Sequence, residues 1–325
     1  MSREAEHWFH QRAAFYVEAQ LLFHLSQAGV FTLLRRDGPL TTPEIAGRLA
    51  LSESVLQAVL DYVHGVDDLL VRSELGWGVS AFGVTVLERY GRGERINFFD
   101  VRVGGYGPVW EGVGRMLRGE QVSRHGQAAA EGVYKVGARF APGVQAIVQE
   151  LRPSAVLEVG VTTGLLEDLP GARIGLDRSR RALDQADRRA ADPAISWIEA
   201  DVFDPASWAA NLPAGGLLFS VHFHELAAQG AHRVAKLLDE LADHLDGWSV
   251  LALEQPRLPE ADRGRIDDAD WLYAQANVLI HHLIGNGRIL PHHEWTELFG
   301  ASSRTLISAQ PLGYLGYHAY LARLG

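Results

Sequence analysis

The feature that most restricts the fold of this chain is a change of rhythm near residue 154. From there onward short β-rich runs (155–160, 173–177, 195–201, 216–222 and 249–254) are separated by helical segments. Strands that alternate with helices form a parallel sheet covered by helices on both faces, because each crossover needs a helix and each helix must bury an apolar stripe. The end of the chain breaks the rhythm. Runs 303–309 and 317–324 are joined by only a short connection containing Pro and Gly, which predicts a hairpin and an antiparallel strand at the sheet.

In an open parallel sheet, ligands bind beyond the carboxyl ends of the strands, where the strand order reverses. Three loops are therefore informative. After the first run comes Glu158-Val159-Gly160-Val161-Thr162-Thr163-Gly164, whose glycines allow close approach of the backbone to a ligand. After the second comes Asp177, a strand-end carboxylate able to accept from two ribose hydroxyls. After the third comes Asp201, placed to accept from an adenine amino group, with Val202 or Phe203 beside the ring. Carboxylates and aromatic faces suit a sulfonium better than a pyrophosphate, which favours S-adenosylmethionine over a nicotinamide cofactor.

The first half reads as helices and turns. Residues 19–34 carry apolar side chains at helical spacing (Leu21, Leu22, Leu25, Ala28, Val30, Leu33). A second helix starts at Thr41-Thr42-Pro43-Glu44 with a capping Thr, an early Pro and an early acid, and a third starts at Ser52-Glu53-Ser54. Residues 69–83 then read as two short strands around a turn. Three helices and a hairpin make a winged-helix arrangement, but a third helix that reads DNA needs basic or amide side chains. Residues 52–64 contain no Lys or Arg. The domains expected are a winged-helix domain over 1–100, a helical connector and substrate cover over 101–150, and a cofactor-binding catalytic domain over 151–325.

Composition narrows the function. A net charge of -10 and the lack of a basic run exclude a polyanion partner. Cysteine is absent, so any metal must be held by His, Asp or Glu. No stretch approaches the roughly 18 apolar residues of a membrane span, and the charged N-terminus has no signal-type apolar core. The expectation is a cytoplasmic protein.

The glycine loop, Asp177 and Asp201 in that order, with Gln27-Ala28-Gly29-Val30-Phe31-Thr32-Leu33-Leu34 and Leu40-Thr41-Thr42-Pro43-Glu44-Ile45-Ala46 before them, resemble the small-molecule O-methyltransferases over nearly the whole chain. The resemblance implies a class I methyltransferase fold, a homodimer formed through the N-terminal domain, and S-adenosylmethionine as cofactor. It assigns Glu158, Gly160, Gly164, Asp177, Asp201, Val202 and Ser220 to the cofactor. Two features depart from the family. Val161 and Thr162 stand where further glycines are usual, and the five residues 165–169 leave room for about one helical turn. A member of this fold that no longer transfers methyl is therefore a third reading.

After the fourth run, His224-Glu225 occupies the place of the family's His-Asp pair, whose His is the general base, and Glu254 matches a position that orients it. Two imidazoles and a carboxylate also make a facial triad for iron(II) or zinc(II). His224 and Glu225 with His281 or His282 resemble the metal site of C-methyltransferases that act on α-keto acids. His281 and His282, on a helix over 271–283, project about 100° apart, and the later Glu294-Trp295 favours His281. Arg139, Lys135, Arg115 and Arg118 are candidates for pairing with a substrate carboxylate, and His292-His293 reads as a solvated loop. Metal-assisted C-methylation and metal-free O-methylation both remain open at this stage.

Overall fold

The computed structural model describes residues 3–92, 95–96, 100–120, 140–161, 163–228, 230–266, 268–285, 287–301, 304–312 and 316–325. They fall into two compact units, the first holding the described residues up to Trp110 and the second those from Glu111 to Gly325.

The N-terminal unit starts with α1 (Arg3–Gln27) and α2 (Val30–Asp37). The single helix expected over 19–34 is thus two, because Gly29 takes a left-handed φ of 81° and its neighbour Val30 restarts the helix. Helix α3 (Thr42–Leu49) is started by Thr41, whose backbone N–H and hydroxyl both donate to the Glu44 carboxylate, at 2.8 and 2.6 Å. Helix α4 (Glu53–Val66) leads to the antiparallel pair β1 (Leu70–Ser73) and β2 (Gly76–Val79), which Leu40 extends by a bridge to Trp77. Phe31, Ile45, Leu60, Leu70 and Trp77 form the buried centre of this unit. The Trp77 indole N–H donates to Thr42 Oγ1 at 3.0 Å, so the strand pair is tied to α3 by a polar as well as an apolar contact. Helix α5 (Ala81–Tyr90), the two-residue strands β3 (Gly91–Arg92) and β4 (Arg95–Ile96), a π-helical turn over Asp100–Gly105 and α6 (Gly107–Met116) follow, the residues of α6 from Glu111 onward being counted with the second unit.

The C-terminal unit contains a sheet of seven strands. Helix α7 (Ala141–Leu151) precedes β5 (Ala155–Val159), β6 (Ala172–Asp177), β7 (Ile195–Glu199), β8 (Leu217–Ser220) and β9 (Ser249–Glu254), which are mutually parallel where they pair. The hairpin β10 (Arg304–Pro311) and β11 (His318–Leu324) joins antiparallel on β9, giving the order β10-β11-β9-β8-β5-β6-β7. The helices are α8 (Arg180–Ala190), α9 (Pro205–Trp208), α10 (Phe223–Ala227), α11 (Ala231–His244), α12 (Asp268–Ile284) and α13 (His292–Phe299).

Strand period accounts for the layers. Along β5, β8 and β9, Leu157, Leu218 and Val250 join a cluster with Leu237, Leu238 and Leu241 of α11 and with Trp295 and Phe299 of α13. Their neighbours Val156, Leu217 and Leu251 join the opposite cluster, with Val144, Ile147 and Val148 of α7. Both faces are therefore covered, and each such side chain contributes about 1.5–3 kcal/mol of burial. From β5 the chain steps outward through β6 and β7, then crosses back to β8 and β9. The order reverses between β5 and β8, so the carboxyl ends of these strands are where a ligand crevice forms.

Candidate functional site

At the end of β5, Glu158 is buried, and its carboxylate accepts from the backbone N–H of Thr163 at 3.1 Å and from the Thr163 hydroxyl. Burial raises its pKa to about 7, against the Thr163 hydrogen bonds and the nearby charges of His222 and Arg189. Glu158 therefore shapes its own loop. Gly160 has φ 76°, and a β-carbon there would come within 2.7 Å of His222 Cδ2. Gly164, also left-handed at φ 67°, caps the single 3-10 turn Leu165–Asp168, the one turn that the short spacing of the sequence allowed. Val161 is buried against Leu183 and Ala186 of α8, so its side chain belongs to the core.

The acids after β6 and β7 are also held locally. Asp177 accepts the N–H of Ser179 at 2.8 Å, and Asp201 accepts that of Phe203 at 3.0 Å. Each makes a turn in which a side chain replaces a backbone acceptor. Asp201 is exposed, whereas Val202 and Phe203 pack on the core, and the Arg233 guanidinium lies 4.5 Å from the centre of the Phe203 ring. Ser220 at the end of β8 is buried, donates to Val159 O at 2.8 Å and accepts from the N–H of His222 at 3.1 Å. It thereby pins the end of β8 to the end of β5.

The strand does not continue through His224. It stops at Ser220, and His222 caps α10, so that Phe223 enters the core while His222, His224 and Glu225 lie near one another. His222 Nδ1 is 3.3 Å from Glu225 Oε1, one turn further on. His224 is fixed across the sheet. Its backbone N–H donates to Glu254 Oε1 at 3.1 Å and its Nδ1 lies 2.8 Å from Glu254 Oε2.

Burial sets the protonation of this pair. It pulls His224 down to about 4, with Glu225 opposing and His222 adding to the shift, so the ring is neutral at physiological pH. It pushes Glu254 well above the usual carboxylate range, against the backbone donors of His224 and Phe223 and the charge of His222. His222 moves the other way. Burial lowers it, but the hydrogen bond and charge of Glu225, followed by the charges of Glu254 and Glu158, outweigh that cost and raise it overall.

The expected metal ligands are rearranged. Among the described residues, His222, His224 and Glu225 have donor atoms within 4.8 Å of one another. His281, expected as third ligand, is buried on α12 and packs edge-on against the His224 ring, with centroids 4.4 Å apart, but stands outside that set. His282 is exposed. Adjacent residues on a helix project about 100° apart, and the buried side of α12 carries Trp271, Ala274, Asn277, Ile280 and His281, which leaves His282 outside it. His222 was missed because a β-strand reading through 222 hides the helical turn that brings it to Glu225.

Other expectations move as well. His292 is no loop residue but starts α13, and its Nδ1 lies 2.9 Å from the hydroxyl of buried Tyr320. Arg115 and Arg118 are exposed, and Arg118 lies 3.6 Å from Glu120. Lys135 and Arg139 lie outside the described residues. No helix among the described residues is long and apolar enough to cross a membrane.

No family model and no curated protein matches the sequence. Solved structures do match. Human N-acetylserotonin methyltransferase in complex with S-adenosylmethionine is 18% identical, with a TM-score of 0.69, over 100% of this chain and 99% of that chain. An O-methyltransferase described as putative, from Nostoc punctiforme, is 17% identical with a TM-score of 0.68, over 97% and 98%. A methyltransferase of calicheamicin biosynthesis in its S-adenosylhomocysteine-bound form is 16% identical with a TM-score of 0.64, over 99% of both chains. At these identities the likeness defines the fold: a doubly wound α/β sheet with a C-terminal antiparallel hairpin, preceded by a helical region.

Proposed function

We propose that this chain is an S-adenosylmethionine-dependent methyltransferase acting on a small molecule, with His224 as general base. The observation that carries this reading is the buried pairing of His224 Nδ1 with Glu254 at 2.8 Å, which joins the segment after β8, a strand at the topological switch point, to the end of β9. A histidine held through Nδ1 has Nε2 as its remaining nitrogen. A carboxylate behind it stabilises the imidazolium formed when Nε2 takes a proton. A hydroxyl acceptor deprotonated there would attack the sulfonium methyl in line.

The cofactor contacts follow the strand ends. Gly160 and Gly164 give backbone access, Asp177 is assigned to the ribose, Asp201 and Val202 to the adenine, and Ser220 and Glu158 hold the loop in shape. Glu225 supports the base. The solved neighbours that carry the cofactor or its demethylated product support the choice of S-adenosylmethionine.

Metal-assisted C-methylation of an α-keto acid is the second reading, favoured by the convergence of His222, His224 and Glu225. We also propose a cytoplasmic homodimer formed through a winged-helix N-terminal domain. Trp8, Phe15, Tyr16 and Val17 stand exposed on α1, an apolar array that a second copy would cover.

Isothermal titration with S-adenosylmethionine tests the central claim. One site per chain is expected, and no heat of binding at millimolar cofactor would reduce the protein to one that keeps the fold without the chemistry.

A further inference from the structure

We infer that His222, His224 and Glu225 bind one divalent transition-metal ion, with His222 and not His281 as the second imidazole. The inference deepens the reading above and rests on its placement of His224. Three observations support it.

The first is spacing. A tetrahedral ion with metal–nitrogen and metal–oxygen distances near 2.0–2.2 Å holds its ligand atoms roughly 3.3–3.5 Å apart. His222 Nδ1 and Glu225 Oε1 already stand 3.3 Å apart, and all three residues offer donor atoms within 4.8 Å of one another. The i,i+3 relation at the start of α10 supplies two of the three ligands from a single helical turn.

The second is orientation. Histidine ligands to metals usually hand their other nitrogen to a carboxylate or carbonyl, which fixes the ring and raises its basicity. His224 does this with Glu254, itself buried and held by the His224 backbone N–H. The third is donor chemistry. Two imidazoles and one carboxylate, in a chain without cysteine, suit zinc(II), iron(II), cobalt(II) or nickel(II) and disfavour magnesium or calcium, which take oxygen ligands. Positions left open on such an ion would take substrate oxygens, where the ion acts as a Lewis acid.

This site decides between the two reactions. The Nε2 lone pair of His224 serves either as base or as ligand, and an ion that occupies it removes the base. The O-methylation reading then belongs to the metal-free protein and the keto-acid reading to the loaded one.

The test is equilibrium dialysis of tag-free protein, stripped with chelator, against zinc(II), read as bound metal per chain. One ion per chain is expected, with affinity falling at least ~10-fold in Glu225→Gln and in His222→Asn and unchanged in His282→Ala. Glu225 is part-exposed, so Glu225→Gln decides the matter if His222→Asn does not fold. Absence of stoichiometric binding overturns the inference, as does binding insensitive to Glu225→Gln. Binding lost in His281→Gln but kept in His222→Asn restores the other ligand set and also overturns it. Cofactor titration of the same samples keeps the two ideas apart, because metal binding can fail while cofactor binding persists, and the reverse.

Discussion

The two halves of the sheet's carboxyl edge are built differently. On the β5–β6–β7 side each acid is satisfied within its own loop: Glu158 by Thr163, Asp177 by Ser179 and Asp201 by Phe203. On the β8–β9 side the polar groups are satisfied across the fold, with His224 joined to Glu254 thirty residues later and Ser220 joined to Val159. The first arrangement makes a cradle of backbone whose shape is set by local turns. The second makes a buried reactive pair, held in place only when the whole sheet is formed. A region built from local turns can present hydrogen-bonding groups to a ligand, whereas the lowered proton affinity of His224 comes from its burial.

The comparison can be broken on the long-range side first. His224→Asn should lower kcat by about 10²–10⁴-fold with little change in S-adenosylmethionine affinity. Glu254→Gln should reproduce part of that loss and move the pH–rate profile, and a steady-state profile between pH 5 and 9 separates the two variants. If both leave kcat within a few-fold of the parent, the pair is structural and the β8–β9 side has no special role in the reaction.

The cradle is next. Gly160→Ala places a methyl group in a left-handed backbone conformation and against the His222 ring. It should cost on the order of 1–3 kcal/mol of stability, read as a lower urea midpoint, and weaken cofactor binding at least tenfold. His222→Ala in the same chain should recover the steric part but not the backbone strain. Full recovery would show that the contact, and not the turn, is what requires glycine.

The smallest effect is a pH dependence. Glu158 has its folded-state pKa raised from 4.5 to about 7 by burial. Between those values the unfolded chain has released the proton and the folded chain keeps it, so stability is greatest below pH 4.5 and falls as pH rises toward 7. Glu158→Gln should flatten that part of the profile, which thermal melts at pH 5 and pH 7.5 would show directly. An unchanged slope would mean that Glu158 is ionised in the fold and that Thr163 and the loop compensate for its burial.

What was legible in the sequence follows the same division. The strand rhythm, the capped start at Thr41 and the terminal hairpin all depend on neighbours within a few residues, and each is found close to where it was expected. So are the loop acids, whose turn partners lie two to five residues away. The break at Gly29 was hidden by apolar spacing that runs on through it, and the place of His222 by a strand that looked one turn too long. The partnership of His224 with Glu254, and the packing of His281 on the same ring, are set by strand order and by the return of α12. No periodicity within either segment encodes them.

The way α12 returns has a mechanical consequence. Just past its end, the amide of Arg288 donates to the backbone carbonyl of His224 at 2.9 Å, and the backbone at Gly287 lies so close that an added β-carbon would come within 2.8 Å of His224 Cδ2. With His281 on one side of the ring and this segment on another, α12 and His224 are mechanically joined. A helix that lifts to admit a substrate cannot leave the imidazole behind undisturbed. Hydrogen exchange at the Arg288 amide would then report how often the backbone of His224 is unlatched, so that a motion of α12 could be timed from a single backbone proton.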